Sequence, residues 1–268
     1  GSTIYFTADG LRLVGGNLIG KEMTLNSSVD WITQNGFFGS NKFTTPTDIT
    51  TDGTNFYTVD SFKDELLRVN SSGETTLLLS NLNDPKGVSA TKNSLYISEK
   101  DGKKIVKYQI EDATTSTLAN FSTSPYGLTN INDTLYVAFY DNSVIVKVDE
   151  NGSFSDFVTG LNGPTALTTD GTYLYVVEYW DKAVTRVLLS DPTQQDSMMT
   201  FDSQRPLSIS TDGIKLFIGT DNGYLYEQRL DDQSITDKGR EFQNPTGFVS
   251  DGEYLYIVDD NKDEVGRL

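Results

Sequence analysis

The side chains in this sequence that could do chemistry are carboxylates, hydroxyls, amides, aromatics and a few bases, because it contains neither histidine nor cysteine. That removes a Ser-His-Asp triad, a thiolate nucleophile, zinc-finger ligation and iron–sulfur ligation from consideration. Two aromatic pairs, Phe139-Tyr140 and Tyr179-Trp180, are each followed by an acid, Asp141 and Asp181. Such rings could anchor a ligand, since large aromatic side chains contribute most per residue at interfaces. Lys86 and Arg205 are bases in a chain whose formal net charge is −17. They would attract an anionic group on a ligand. The overall charge argues against nucleic acid and anionic lipid as partners, both being negative themselves, and serves solubility.

A repeat supplies the elements that must position these residues. Six of the seven prolines fall into register, at Pro46, Pro85, Pro125, Pro164, Pro206 and Pro245, with spacings of 39, 40, 39, 42 and 39. Ten and eleven residues after each stands a large apolar residue and then an aromatic: Phe56-Tyr57, Leu95-Tyr96, Leu135-Tyr136, Leu174-Tyr175, Leu216-Phe217 and Leu255-Tyr256. Four units carry Asp-Gly six residues after the proline, at Asp52, Asp170, Asp212 and Asp251, a pair suited to tight hairpins. A period of about 40 residues, short strands rich in β-branched and aromatic residues and no helical periodicity predict an all-β fold, a β-propeller of four-stranded antiparallel blades. Residues 1–268 form one such domain.

Seven blades are preferred over six. Thr3, Asp9-Gly10 and Leu13-Val14 sit at the offsets of a seventh, weaker unit, and seven units of about 39 approach the chain length. The last unit has room for only three strands, so it is short or closed by the N-terminus near Thr3–Thr7. In the six-bladed alternative, part of residues 1–45 supplies the missing strand and the rest forms an extra hairpin. Within a unit, Phe56–Asp60, Glu65–Val69 and Thr75–Leu79 read as strands B, C and D.

Because strands alternate in direction, the loops holding the prolines and the loops between strands B and C lie on one face. The channel mouth there is lined by the starts of the A strands, Thr47-Asp48, Lys86-Gly87, Tyr126-Gly127, Thr165-Ala166, Leu207-Ser208 and Thr246-Gly247. The ligand-binding candidates are Asp48, Lys86, Tyr126, Phe139, Tyr140, Tyr179, Trp180 and Arg205. No residue is assigned a catalytic or metal-binding role, and no cofactor is expected. Acids fourteen residues past the proline (Asp60, Glu99, Glu178, Asp259) and bases twenty-two past it (Arg68, Lys107, Lys147, Arg186, Arg267) read as ion pairs between strands B and C.

Together with the Leu-Tyr pairs, this acid and base spacing resembles the NHL repeat; Val59-Asp60-Ser61 followed by Leu67-Arg68-Val69 is the closest local match. The resemblance spans the chain and implies the propeller architecture; propellers of this kind include binding proteins and enzymes, so it leaves function open. Two readings follow. One is a non-enzymatic binding module taking a peptide, a carbohydrate or a partner protein on the proline-side face. The alternative is similar to the gluconolactonase, strictosidine-synthase and paraoxonase propellers, hydrolases with a divalent cation held in the channel by oxygen ligands. One carboxylate at the channel mouth, Asp48, falls short of the six to eight oxygens calcium takes, so the binding module is preferred. Short Asn-, Ser- and Thr-rich turns suit a monomeric secreted, periplasmic or cell-surface bacterial protein, with Gly1-Ser2 a remnant left where a signal segment was removed. No stretch approaches the ~20 apolar residues of a membrane span. Melting temperatures measured with calcium and with chelator should coincide; a rise of many degrees in calcium would establish a site and favour the hydrolase.

Overall fold

The structure, a computed structural model, describes residues 43–70, 74–240 and 242–268 and the strands Ile4–Thr7, Gly10–Leu13 and Asp30–Trp31. The repeat units fold as antiparallel sheets around a central channel. Their innermost A strands are Pro46–Thr51, Pro85–Ala90, Leu128–Ile131, Pro164–Thr169, Pro206–Thr211 and Pro245–Ser250. Numbered in that order, these begin six blades of four strands each. In blade 1 the outer strands are Phe56–Asp60, Glu65–Val69 and Thr75–Leu79, as the alternation predicts. Among the described residues the one helical piece is the 3-10 turn Asp260–Lys262, and no helix is long and apolar enough to cross a membrane.

Burial grades outward from the channel. B strands have neighbouring blades against both faces, so Phe56–Asp60 and Leu255–Asp259 are buried at every position and read as apolar runs rather than as alternations. D strands form the rim and are mostly exposed, as in Thr115–Asn120. The core lies between blades: Tyr57, Val59 and Leu66 of blade 1 pack with Val88, Leu95 and Ile97 of blade 2.

The ring has six blades, not the preferred seven. Strand Pro245–Ser250 lies directly against Pro46–Thr51: the Thr246 hydroxyl donates to the Pro46 carbonyl at 2.8 Å. A Cβ placed on Gly247 would come within 2.8 Å of the Asp48 Cα, so no further blade fits between them. The hairpin of Ile4–Thr7 with Gly10–Leu13 forms a separate two-stranded sheet. The fourth strand of blade 6 is Asp30–Trp31, which pairs with Arg267 and Gly266; closure therefore comes from within residues 1–45 and not from residues 3–7.

The cross-strand ion-pair expectation is also corrected. Strand register sets each base opposite the aromatic of the pair, Arg68 against Tyr57, Lys107 against Tyr96 and Arg186 against Tyr175. The acids lie at the other end of the hairpin. The bases instead cover rings, with the Arg186 guanidinium 4.7 Å from the Tyr173 centroid and that of Arg267 4.5 Å from Tyr254.

The Asp-Gly turns work through the aspartate side chain as much as through the glycine. Only the glycine takes positive φ, 85–88° at Gly53, Gly171, Gly213 and Gly252. In the turn at Asp52 one carboxylate oxygen accepts the amides of Thr54 and Asn55, and the other accepts the Tyr57 hydroxyl at 2.7 Å. Asp170 repeats this with Thr172, Tyr173 and the Tyr175 hydroxyl at 2.8 Å. In blade 5 the aromatic is Phe217, which has no hydroxyl to give. Asp212 keeps both amide bonds, yet its second oxygen is buried with no hydrogen-bond partner among the described residues, and burial pushes its carboxyl above the ordinary range. Phe217→Tyr should supply that bond and stabilise the protein by about 1 kcal/mol near neutral pH. The gain should shrink as pH falls through the titration of Asp212, because the bond is strongest to the ionised form; denaturant unfolding at two pH values checks this, and a loss of stability at both would mean the hydroxyl does not fit.

Candidate functional site

Loops on the proline-side face are held by a bond that recurs in five blades. The amide fifteen residues past the proline donates to the carbonyl just before it: Ser61 to Thr45, Lys100 to Asp84, Tyr179 to Gly163, Asp221 to Arg205 and Asp260 to Asn244, at 2.8–3.1 Å. The acid ahead of it reinforces the link. Asp60 accepts the amides of Thr44 and Thr45, Glu178 that of Asn162, and Asp259 those of Gln243 and Asn244. This is the role of three of the four acids that sequence spacing suggested were ion-paired; Glu99 does pair across strands B and C, with Lys104 at 3.2 Å. In these five blades the B-to-C loop is thereby fastened beside the proline loop.

The A strands enclose a channel of about 290 Å³ whose lining includes every strand start named from the sequence except Gly87. Its wall is apolar (Ile49, Val88, Leu128, Phe248) with hydroxyls between (Thr47, Ser208), and Asp48 is the one carboxylate in it. Asp48 Oδ1 accepts the Ile49 amide at 2.8 Å, and Oδ2 accepts the Val88 amide of blade 2 at 2.9 Å. Asp48 is half-buried in the middle of the ring, with part of its surface facing the channel. Loss of water outweighs the two amide bonds, and its carboxyl is pushed up to about 7.

At the lip, Lys86 pairs with Asp84 at 2.7 Å, and Lys100 reaches the other oxygen of Asp84 at 3.0 Å. Lys100 was not singled out from the sequence; its signal is a base directly after the acid Glu99 that ends strand B. The two lysines flanking one acid hold the Asp84 carboxyl below its usual range against the opposing effect of burial.

Beyond the lip the candidate aromatics come together. Tyr126, which lines the channel, lies 5.3 Å from Tyr140 between ring centroids; Tyr140 lies 6.0 Å from Trp180 and 6.2 Å from Tyr179. Tyr179 and Trp180 meet edge to face at 5.0 Å. Arg205 covers both, its guanidinium 5.0 Å from the Tyr179 centroid and 5.6 Å from that of Trp180. Asp221 is 3.9 Å away, and the Arg205 Nε is buried without a hydrogen bond among the described residues, so stacking on the rings is the main contact of this side chain. Trp180 stays 52% exposed although it is fixed from several directions. Its ring packs beside Tyr140, its amide donates to the Asn162 carbonyl, and Gly163, at φ +68°, packs so closely that an added Cβ would lie 2.6 Å from the indole Cδ1.

Phe139 does not belong to this group. It is the last residue of strand Thr134–Phe139, pairs with Val144, and is 3% exposed in the core, edge to face with Phe121 at 4.9 Å. Side chains alternate along a strand, so of two adjacent aromatics at its end one points inward, and here Tyr140 is the one left at the loop.

No family model matches the sequence, and no curated protein matches it. Solved structures match in fold. The chain is similar to a catalytically inactive virginiamycin B lyase from Staphylococcus aureus with quinupristin, at TM-score 0.67 and 18% identity over 85% of this chain and 82% of that one. A chain of a nidogen/laminin complex matches at TM-score 0.67 and 14% identity over 77% and 86%. An auxiliary nutrient binding protein from Bacteroides thetaiotaomicron matches at TM-score 0.70 and 13% identity over 84% and 69%. The architecture is thus that of the NHL-type and related propellers, a fold that carries both enzymes and binding proteins.

The Asp48 titration has a measurable consequence. Between about pH 4, where a carboxyl in the unfolded chain ionises, and about pH 7, the folded protein holds a proton that the unfolded chain has released. Its contribution to stability therefore declines across that window and is constant above it. In Asp48→Asn, which cannot ionise, the melting temperature relative to the parent should rise from pH 4 to pH 7 and then level off. A difference independent of pH would mean that Asp48 titrates at its ordinary value.

Proposed function

We propose that this propeller is a non-enzymatic binding module that holds its ligand on the proline-side face, next to the channel mouth. The observation that carries this reading is Trp180, half exposed yet fixed by neighbouring rings, a close glycine and a stacked arginine. An exposed indole loses rotamer freedom when it is fixed, without the full gain of burial; a ligand that completes its burial supplies the missing term. Tyr140, Tyr179 and Arg205 extend the surface, and Tyr126 joins it to the channel.

The metal-dependent hydrolase has less support. The channel lining offers one carboxylate, and no group of three acidic side chains suited to a metal occurs among the described residues. The similar lyase is described as inactive when one histidine is changed to alanine, and the present sequence has no histidine. A secreted or cell-surface setting, suggested by turn composition, belongs to the same proposal.

Trp180→Ala combined with Lys86→Ala should remain folded, within about 1 kcal/mol of the parent, because the first side chain is largely at the surface and loss of the second leaves Asp84 paired with Lys100. Probed against arrays of peptides, proteins and glycans, the double variant should lose the ligands the parent captures. Thr172→Ala and Glu253→Ala, exposed changes at the Asp-Gly turns of the opposite face, should retain them. The reverse pattern would put the function on that opposite face.

A further inference from the structure

We infer that the ligand of this face is a neutral carbohydrate chain, an inference that rests on the binding-module reading and deepens it. Three properties of the surface lead to it. The first is that its charges already have partners. Lys86 and Lys100 share Asp84, and Arg205 faces Asp221, while Asp141 and Asp181 stand exposed nearby. An anionic ligand would have to displace an internal carboxylate at each base, and the Arg205 guanidinium beside Tyr179 and Trp180 would repel a cationic one. Neutral ligands suffer neither conflict.

The second property is that the backbone beside the platform is occupied. The amides of Tyr179 and Trp180 donate to the carbonyls of Gly163 and Asn162, and the Asn162 amide to Glu178. An extended peptide, which gains affinity through main-chain bonds, would have to displace these.

The third is the pairing of apolar faces with amphoteric edges. Trp180 is 52% exposed and Tyr140 partly so, while at the rim the Asn162 amide donates to Asp181 at 2.6 Å and both side chains remain exposed. Asn162 keeps a donor and an acceptor free, and Asp181 further acceptor positions. A sugar ring presents the complement, a C–H face that packs on an aromatic ring and hydroxyls that each donate and accept. The stripe Tyr126, Tyr140, Trp180 runs outward from the channel lip, so successive sugar units of a chain would meet successive rings.

The test is titration of the full chain, followed by calorimetry, with a panel of neutral hexasaccharides of glucose, mannose, galactose and xylose, with oligogalacturonate as an acidic counterpart and a proline-rich peptide as a non-carbohydrate control. At least one neutral hexasaccharide should bind, with an affinity unchanged between low and high salt, and weaken by about tenfold or more in Trp180→Ala. Trp180→Phe, which keeps a ring, should recover part of the loss. Gly163→Ala, which displaces the indole without altering its chemistry, should weaken binding as Trp180→Ala does; thermal unfolding of each variant confirms that it is folded. Binding of oligogalacturonate alone, or of no oligosaccharide in the panel, overturns the inference. Binding of the peptide alone, lost in Trp180→Ala, overturns the carbohydrate while leaving the face intact. A hexasaccharide that binds Trp180→Ala and Gly163→Ala as well as the parent overturns the face itself.

Discussion

Everything on the proline-side face depends on the short link between the end of strand B and the residue before the proline. The amide after the strand end bonds the proline loop in five of the six blades, and in three of these the acid at the strand end bonds it too, so two loops that would otherwise move separately become one rigid corner. Proline makes the link compatible with the sheet, because a residue without an N–H can begin the A strand without leaving a donor unsatisfied. Repeated around the ring, this corner presents blade-specific side chains at fixed radii. The repeat thus builds the frame, and its variable positions carry whatever distinguishes this chain.

Blades 3, 4 and 5 illustrate the result. Tyr126 and Tyr140 come from the third, Gly163, Tyr179 and Trp180 from the fourth and Arg205 from the fifth, yet their rings and guanidinium form one continuous contact. Gly163 matters by what it lacks. Its position just before Pro164 lies at φ +68° beneath the indole, where any side chain would displace Trp180. The platform is therefore preorganised, which removes ordering costs from binding.

The channel is held in a different way. Asp48 bridges blades 1 and 2 through two backbone amides, and the hydroxyls of Thr47, Ser208 and Thr246 reach the proline carbonyls of neighbouring blades at 2.8–3.1 Å. These bonds compensate the polar groups that a ring of closely packed inner strands buries. They also explain why a lone acid is tolerated there. Its position serves the joint between blades, and its raised titration follows from enclosure rather than from another charge.

By itself the sequence determined the repeat, the strands, the channel-lining positions and the face on which Tyr140, Tyr179, Trp180 and Arg205 stand, because proline and Asp-Gly chemistry is local and fixes where each strand turns. Tertiary structure decided the rest. Blade number depended on whether Pro245–Ser250 could reach Pro46–Thr51, a closure in space that the weak register around Asp9-Gly10 could not report. Phe139 and Tyr140 are adjacent aromatics of like propensity, and only the burial of one strand face against the next blade separated them. The acids past the prolines looked like partners for the bases eight residues on, but strand pairing sets those bases opposite aromatics, leaves Asp60, Glu178 and Asp259 beside the backbone amides of another loop and gives Glu99 a different base, Lys104. Spacing in sequence gives the period of such contacts; which group lies across from which is set by register, and register is fixed only when both strands are in place.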